Sequence, residues 1–368
     1  RTGCRFHTSY LPARLLWAAT AMPAAFRRAR WWLSPGEYLF LRLFGETGCS
    51  HSMASGTGLF CHATLDWDEE VLAALPIARD QLAPIVDADR PFRGLRREFA
   101  QRLPALQDVP WFPALGDGAC SNLGCGGVTP DRPALMVGTS GALRSLRTTG
   151  EPRAPFGLWC YRVDRRRYLI GGALSNAGNL YAWLRRTLRL PDDDDALEAA
   201  LAALPPDGHG LTLLPFLAGE RSPGWRGDAR AAIAGLSWAT EPIHLLRAGL
   251  EAVAHRFALI HTLLRPGLPA EHEPIATGGG LLASPVWQQI MADAIGRPLW
   301  ISAEPEASSR GAALMALESA GILPAVEAAR FRFVARRDPD PEAHRRYLAA
   351  RERQAQLYER LLGPLDAG

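Results

Sequence analysis

The apolar positions of this chain change character near residue 111. Before it they recur at helical spacing: Leu15, Leu16, Ala19 and Met22 predict a helix over 11–30, and after the Pro35-Gly36 break a second helical run reaches Phe44. Residues 45–55 read as a polar loop, 67–75 as helix, 76–89 as a proline-punctuated connection and 92–103 as an arginine-rich helix. Beyond Trp111 short apolar runs alternate with glycine turns, which predicts buried strands and hairpins over 112–115, 134–137, 143–146, 158–163 and 168–170. Helices return over 180–188, 196–204, 242–264 and 281–295. A strand at 298–302 follows, then a helix at 308–320 rich in alanine and glycine, whose small face can pack closely. The charged amphipathic stretch 341–362 predicts a helix that covers the core.

Three turns in this pattern carry residue types suited to chemistry. Thr277-Gly278-Gly279-Gly280 lies between the apolar run 274–276 and the periodic segment 281–295, as a strand, a glycine turn and a helix start would. Glycines there let backbone approach a flat or anionic ligand, and the helix start offers free N–H groups; glycine clusters also end strands in proteins that bind nothing. Gly138-Thr139-Ser140-Gly141 closes the run 134–137 with two hydroxyls that can bond phosphate oxygens, or is a plain hairpin turn. Gly116-Asp117-Gly118 sets a carboxylate just after the run 112–115. Such a group can take a proton from an attacking hydroxyl, as phosphoryl transfer to an alcohol requires; Asp-Gly is equally an ordinary turn.

Composition narrows the field. With 368 residues, 48% hydrophobic and 21% charged, the chain can form two globular domains. No apolar run is long enough for a membrane span. A net charge of +3 with scattered arginines gives little support to nucleic-acid binding. The six cysteines lack C-x-x-C spacing and the nine histidines lack metal-site rhythms, so free thiols and a reducing cytoplasm are expected. Asp192 to Asp195 are expected to favour the start of the following helix, with metal binding a distant second. The chain has no lysine, which excludes a Walker A loop, a protein-kinase lysine and Schiff-base chemistry. Phosphate chemistry would have to use backbone, hydroxyls and arginine. The chain begins with Arg1 and its opening has no signal-peptide core, so a preceding segment is expected to have been lost or processed.

The order of these pieces resembles an FGGY-type carbohydrate kinase. Leu15-Leu16-Trp17 after Arg14 resembles the family's first signature, with arginine where lysine is usual. Ser52-Met53-Ala54-Ser55 followed by Trp67 resembles the next landmark, with Ser50 where an aspartate is common. Gly116-Asp117 with Gly124 resembles the catalytic-base motif. The segment 231–251, with Gly235-Leu236, His244-Leu245 and Ala248, resembles the second signature, although Gly249 fills a position normally larger. Residues 277–287 resemble the adenosine-binding turn. Gly138 to Arg144, Gly171 to Gly178 with Trp183, and Pro215-Phe216 to Pro223 with Trp225 resemble the gluconate kinase branch.

This resemblance implies an α/β fold, the actin-like ATPase pair of ribonuclease H-like domains. Residues 1–130 would be the remainder of the N-terminal, sugar-binding domain and 131–368 the C-terminal, nucleotide-binding domain. It implies ATP-dependent phosphorylation of a sugar or sugar acid hydroxyl, with Asp117 as general base and with ATP and Mg²⁺ as cofactors; no metal ligand is identified. Gly138, Thr139 and Ser140 would hold the phosphates, and Gly178, Gly279, Gly280 and Ser284 would line the adenosine. Arg144 would sit near phosphate or a substrate carboxylate. The partners implied are small molecules in the cytoplasm, with no nucleic acid and no membrane, and a homodimer is compatible. The family's opening strand and Asp-x-Gly-Thr-type loop have no counterpart here. The first domain is therefore expected to be truncated and the chain alone inactive, and the alternative is a non-catalytic nucleotide- or sugar-binding remnant. A dinucleotide oxidoreductase lacks its G-x-G-x-x-G motif.

Overall fold

The apolar runs beyond residue 133 assemble into one mixed sheet. In the computed structural model, which describes residues 1–365, its strands are β1 (Ala134–Val137), β2 (Gly141–Arg147), β3 (Trp159–Arg162), β4 (Tyr168–Leu174), β5 (Ile275–Thr277), β6 (Leu299–Ser302) and β7 (Phe333–Arg337). Their order is β7-β6-β5-β1-β2-β4-β3. β5 runs parallel to both β1 and β6, and the remaining pairs are antiparallel. The parallel strands are nearly all apolar because both faces of the sheet are covered.

Seven helices provide that cover and carry the site: α1 (Asp117–Cys125), α2 (Gly178–Thr187), α3 (Asp194–Ala202), α4 (Pro242–Leu264), α5 (Pro285–Ile295), α6 (Ala307–Ser319) and α7 (Pro341–Leu362). Alternation along the strands sorts side chains between two cores. Leu135, Val137, Leu143, Ile170 and Leu174 face the large core with Leu180, Leu250, Phe257, Trp287 and Tyr347. Ala142, Leu146, Leu169 and Ala173 face the other side, with Ala119 and Leu123 of α1 and Leu314 and Met315 of α6. Buried charges of α4 are paired within the core: Arg247 Nε donates to Glu251 Oε1 at 2.6 Å, and Tyr347 Oη of α7 donates to the same oxygen at 2.9 Å. At Gly249 α4 lies close to α2, where a Cβ would come 2.5 Å from Leu184 Cδ1.

α1 and α6 cross backbone to backbone. A Cβ on Gly124 would lie 1.8 Å from the Ala307 carbonyl oxygen, and one on Gly311 would lie 1.8 Å from that of Cys120. Only glycine permits this approach. Arg310 Nη1 of α6 donates to the Gly124 carbonyl at 2.7 Å, satisfying one of the free carbonyls at the end of α1.

The front third builds a smaller core in which Leu15, Leu59, Phe60, Trp67, Leu72 and Leu82 are buried beside a parallel pair, Cys49–Ser50 with Ile85–Val86. Several expectations fail here. The helix over 11–30 breaks at Met22 into Leu11–Ala21 and Pro23–Arg28, because Pro23 has no N–H to continue the ladder. The expected polar loop 45–55 is a strand at Cys49–Ser50 and a helix at His51–Ser55, buried between neighbours and capped by Ser50, whose Oγ accepts from Met53 N at 3.1 Å. The helix over 92–103 shrinks to Arg97–Arg102, since the Phe92 backbone pairs instead with Trp111. Residues 112–115 form no strand. The ends of the C-terminal elements agree closely, with α4 and α7 as expected.

All six cysteines are free, and five are buried. No described helix is long and apolar enough to cross a membrane.

Candidate active site

Small residues start α1, and two serines fix where it starts. Ser50 Oγ donates to the Ala114 carbonyl at 2.6 Å, and Gly116 N donates to Ser52 Oγ at 3.0 Å, so the chain entering α1 is tied to the preceding short helix. Asp117 is thus the first helical residue rather than part of a turn after a strand. A carboxylate suits that position next to unpaired helix N–H groups. Its side chain is exposed, and Oδ1 accepts from Gly118 N at 2.7 Å, leaving the other oxygen open.

That carboxylate faces a cavity of about 660 Å³ between the front third and the sheet. Ser140 and Arg144 line it from β2 and the preceding turn, Trp159 and Tyr161 from β3, and Ser52, Met53 and Trp67 from the front third. The Trp159 and Tyr161 rings stack at 4.0 Å, and the Tyr161 hydroxyl lies 2.6 Å from that of buried Tyr10.

The turn between β1 and β2 is organised to present donors. Gly138 N bonds the Ser140 carbonyl at 2.9 Å. From the start of α2, Gly178 N and Asn179 N each bond a turn carbonyl, those of Gly138 and Thr139, at 3.0 Å. With its carbonyls turned toward α2, the turn keeps the N–H groups and hydroxyls of Thr139 and Ser140 free of hydrogen bonds among the described residues. Four free donors at one exposed turn suit an anion. Gly178 supports this turn from beneath: a Cβ there would come 2.3 Å from the Gly138 carbonyl oxygen.

The second glycine turn stands beside the first because β5 and β1 are parallel neighbours, Thr277 opposite Met136. Gly278 has φ +91°, and a Cβ on it would lie 2.5 Å from the Val137 carbonyl oxygen. Gly279 is exposed with open space before it, and Gly280 follows in the same short helix, Gly279–Leu282. Ser284 is differently employed. It is buried, caps α5 by accepting from Trp287 N at 3.1 Å, and donates to Glu198 Oε1 at 2.6 Å. Of the sequence-predicted residues, Asp117 and Ser140 therefore share the cavity, Gly138 and Thr139 form its adjoining turn, and on the next turn Gly279 opens outward while Gly280 faces Val137. Gly178 and Ser284 stand behind these surfaces.

Burial shapes the electrostatics. Arg144 and Arg221 both line the cavity, and desolvation pulls both guanidinium pKa values below the ordinary arginine range. Sequence reasoning assigned no site role to Arg221, Trp159 or Tyr161. The available signal for Arg221 was a charge inside the glycine- and proline-bounded stretch 219–223. One other cluster, Asp207, His209 and Glu251, has metal-like spacing. Its groups are already committed: His209 Nδ1 accepts from Leu211 N at 3.0 Å, which leaves Nε2 to donate to Glu251, and Arg353 holds Asp207.

Comparison with known proteins adds a family. The model of the FGGY family of carbohydrate kinases, N-terminal domain, matches residues 1–124, and that of the C-terminal domain matches 134–320. Both domains being represented, these matches give no support to a truncated first domain. The chain is 29% identical to a gluconokinase of Bacillus subtilis (strain 168) over 338 residues, 89% of this chain and 66% of the relative's length. It therefore spans about two thirds of that relative. Among solved structures, a gluconate kinase from Lactobacillus acidophilus superposes with a TM-score of 0.90 at 26% identity, covering 98% of this chain and 74% of the other. A ligand-bound xylulose kinase from the same organism gives the same values.

Proposed function

This chain belongs to the FGGY family of carbohydrate kinases, and on that premise we propose that it transfers the γ-phosphoryl group of ATP to a hydroxyl of a sugar or sugar acid, with gluconate the first acceptor to test. The fold is the family's actin-like one. The observation that carries the reading is the meeting of Asp117 with the Ser140 end of the donor turn at one cavity large enough for a sugar.

In this reading the acceptor occupies the cavity and ATP lies across the two glycine turns. Asp117 accepts the proton of the attacking hydroxyl through its open oxygen. The free donors of Thr139 and Ser140, with Gly138, hold the phosphates, and holding and positioning supply most of what phosphoryl transfer needs. Gly279 and Gly280 give the base a surface without side chains; Gly178 and Ser284 fix the backbone behind it. The division into domains at residue 130 belongs to the same reading.

Magnesium fits this arrangement in one way. The carboxylates lining the cavity are those of Asp117 and Glu37, and Glu37 Oε2 is spent on the Ser34 N–H at 2.7 Å. A single free carboxylate suits a Mg²⁺ brought in on the nucleotide, which keeps most of its ligands as phosphate and water. The ion would neutralise phosphate charge.

The test is ATP consumption against a panel of sugars, polyols and sugar acids, with product identified by mass. Turnover with at least one acceptor is expected. ATP binding with no turnover on any of them would leave a nucleotide-binding protein instead of a kinase.

A further inference from the structure

Arg144 has no structural task that explains it. It lies on β2 in the row Ala134, Arg144, Gly171, Trp159, on the face covered by α1. Glycines make its room: a Cβ on Gly171 would come 3.0 Å from Arg144 Cγ, and one on Gly118 would come 3.1 Å from Nη2. The residue is 7% exposed. Among the described residues its side chain makes no hydrogen bond and no ion pair, and Nη1 is buried without a partner. An unpaired buried guanidinium is costly, which is why such groups are ordinarily matched by a carboxylate or phosphate.

The cavity repeats this imbalance. Arg221 also lines it, and among the described residues its guanidinium reaches only the Leu174 carbonyl, at 3.3 Å. Arg14 and Arg162 line it too, and neither forms an ion pair among the described residues. Against these stand Asp117 and the already engaged Glu37.

We propose that Arg144, supported by Arg221, is a specificity-determining residue that receives the carboxylate of a sugar acid, so that the cavity selects an acidic acceptor over its neutral counterpart. A planar guanidinium matches a carboxylate by two parallel hydrogen bonds. The inference rests on the kinase reading above. A transferring phosphoryl group is the other anion that could answer Arg144, and placement argues for the acceptor. Of the two glycine turns only the Ser140-Gly141 end lines the cavity, whereas Arg144 lies further along β2 with Trp159, Tyr161 and Arg221.

The experiment compares wild type with Arg144→Gln on gluconate and on glucitol, its neutral polyol counterpart, by steady-state kinetics and by calorimetry without ATP. Wild type should bind gluconate more tightly than glucitol. Arg144→Gln should lower kcat/KM for gluconate at least about 30-fold more than for glucitol, mainly through KM, and weaken gluconate binding in calorimetry about as much. Equal losses on both acceptors, or a matching rise in KM for ATP, would assign Arg144 to the phosphoryl group and overturn the proposal. So would gluconate binding as tight in the variant as in wild type, or wild type that binds gluconate no better than glucitol. If wild type binds gluconate through Arg144 yet phosphorylates nothing, the kinase reading falls and the carboxylate assignment stands. Thermal melting checks folding, and if Arg144→Gln unfolds, Arg221→Gln answers the same comparison with about a 10-fold selective loss expected.

Discussion

Replacing Gly311 by alanine should loosen the joint on which Asp117 is mounted. The new Cβ would begin 1.8 Å from the Cys120 carbonyl oxygen, where contacts below 3.0 Å do not occur. Both partners are helix backbone, so no flexible side chain can yield and α1 and α6 must separate by more than an ångström. Overpacking of this kind costs about 1–3 kcal/mol, and with rigid partners the upper end applies. For a chain of this size about 3 kcal/mol corresponds to a fall of roughly 4 °C in melting temperature. Gly124→Ala, which meets the Ala307 carbonyl across the same crossing, should cost a similar amount. The double variant should cost clearly less than the two singles together, because one separation relieves both clashes. Since α1 begins at Asp117, kcat should fall in Gly311→Ala while the affinity for ATP holds, the donor turn being built on β1 and α2. Scanning calorimetry of the four proteins decides the stability part. A Gly311→Ala variant that melts within a degree of wild type, or strictly additive losses, would refute the tight crossing.

Asp117→Asn should reduce phosphoryl transfer by about 10²–10⁴-fold with ATP binding retained by calorimetry, and an unaltered kcat would remove Asp117 from the reaction. Thr139→Val takes away one free hydroxyl from the donor turn and should weaken ATP binding by about 10-fold, read by the same titration. His62, His255 and His261 are buried, and burial depresses their pKa values to about 4, about 4 and about 3. The unfolded chain protonates these rings below about pH 6.5 while the folded chain resists until much lower, so their stability contribution is complete at neutral pH. It is lost as the pH falls from about 6.5 toward 4, at up to about 1.4 kcal/mol per pH unit for each ring. A melting temperature that stays level from pH 7 to 4.5 would contradict this.

Legibility in the sequence followed how local the causes were. β1, α4 and α7 could be read because their apolar periodicity is long or is bounded by glycine and proline. The segment 45–55 could not, since its serines and histidine look like a loop until one sees that Ser50 and Ser52 spend their hydroxyls on backbone groups and on the approach to α1. The glycine turns could be read as turns. Their spacing did not distinguish Gly279, which opens outward, from Gly178 and Ser284, whose hydrogen bonds hold neighbouring backbone in place. Arg221, Trp159 and Tyr161 gather at the cavity only because β3 and β4 pair at the sheet's edge and the stretch 219–223 returns to them, and no spacing in the chain records that meeting.

The two glycine turns meet through main chain: Gly278 lies against the Val137 carbonyl and Gly178 against that of Gly138. The cavity beside Asp117, by contrast, is lined chiefly by side chains. If the turns hold the nucleotide and the cavity the acceptor, as proposed, substitutions accumulating over a lineage can retune what the cavity accepts one residue at a time, while the nucleotide cradle is handed down as a shape. An engineer wishing to change the sugar would need a few new side chains around Arg144; one wishing to change the phosphate donor would have to redraw the backbone itself.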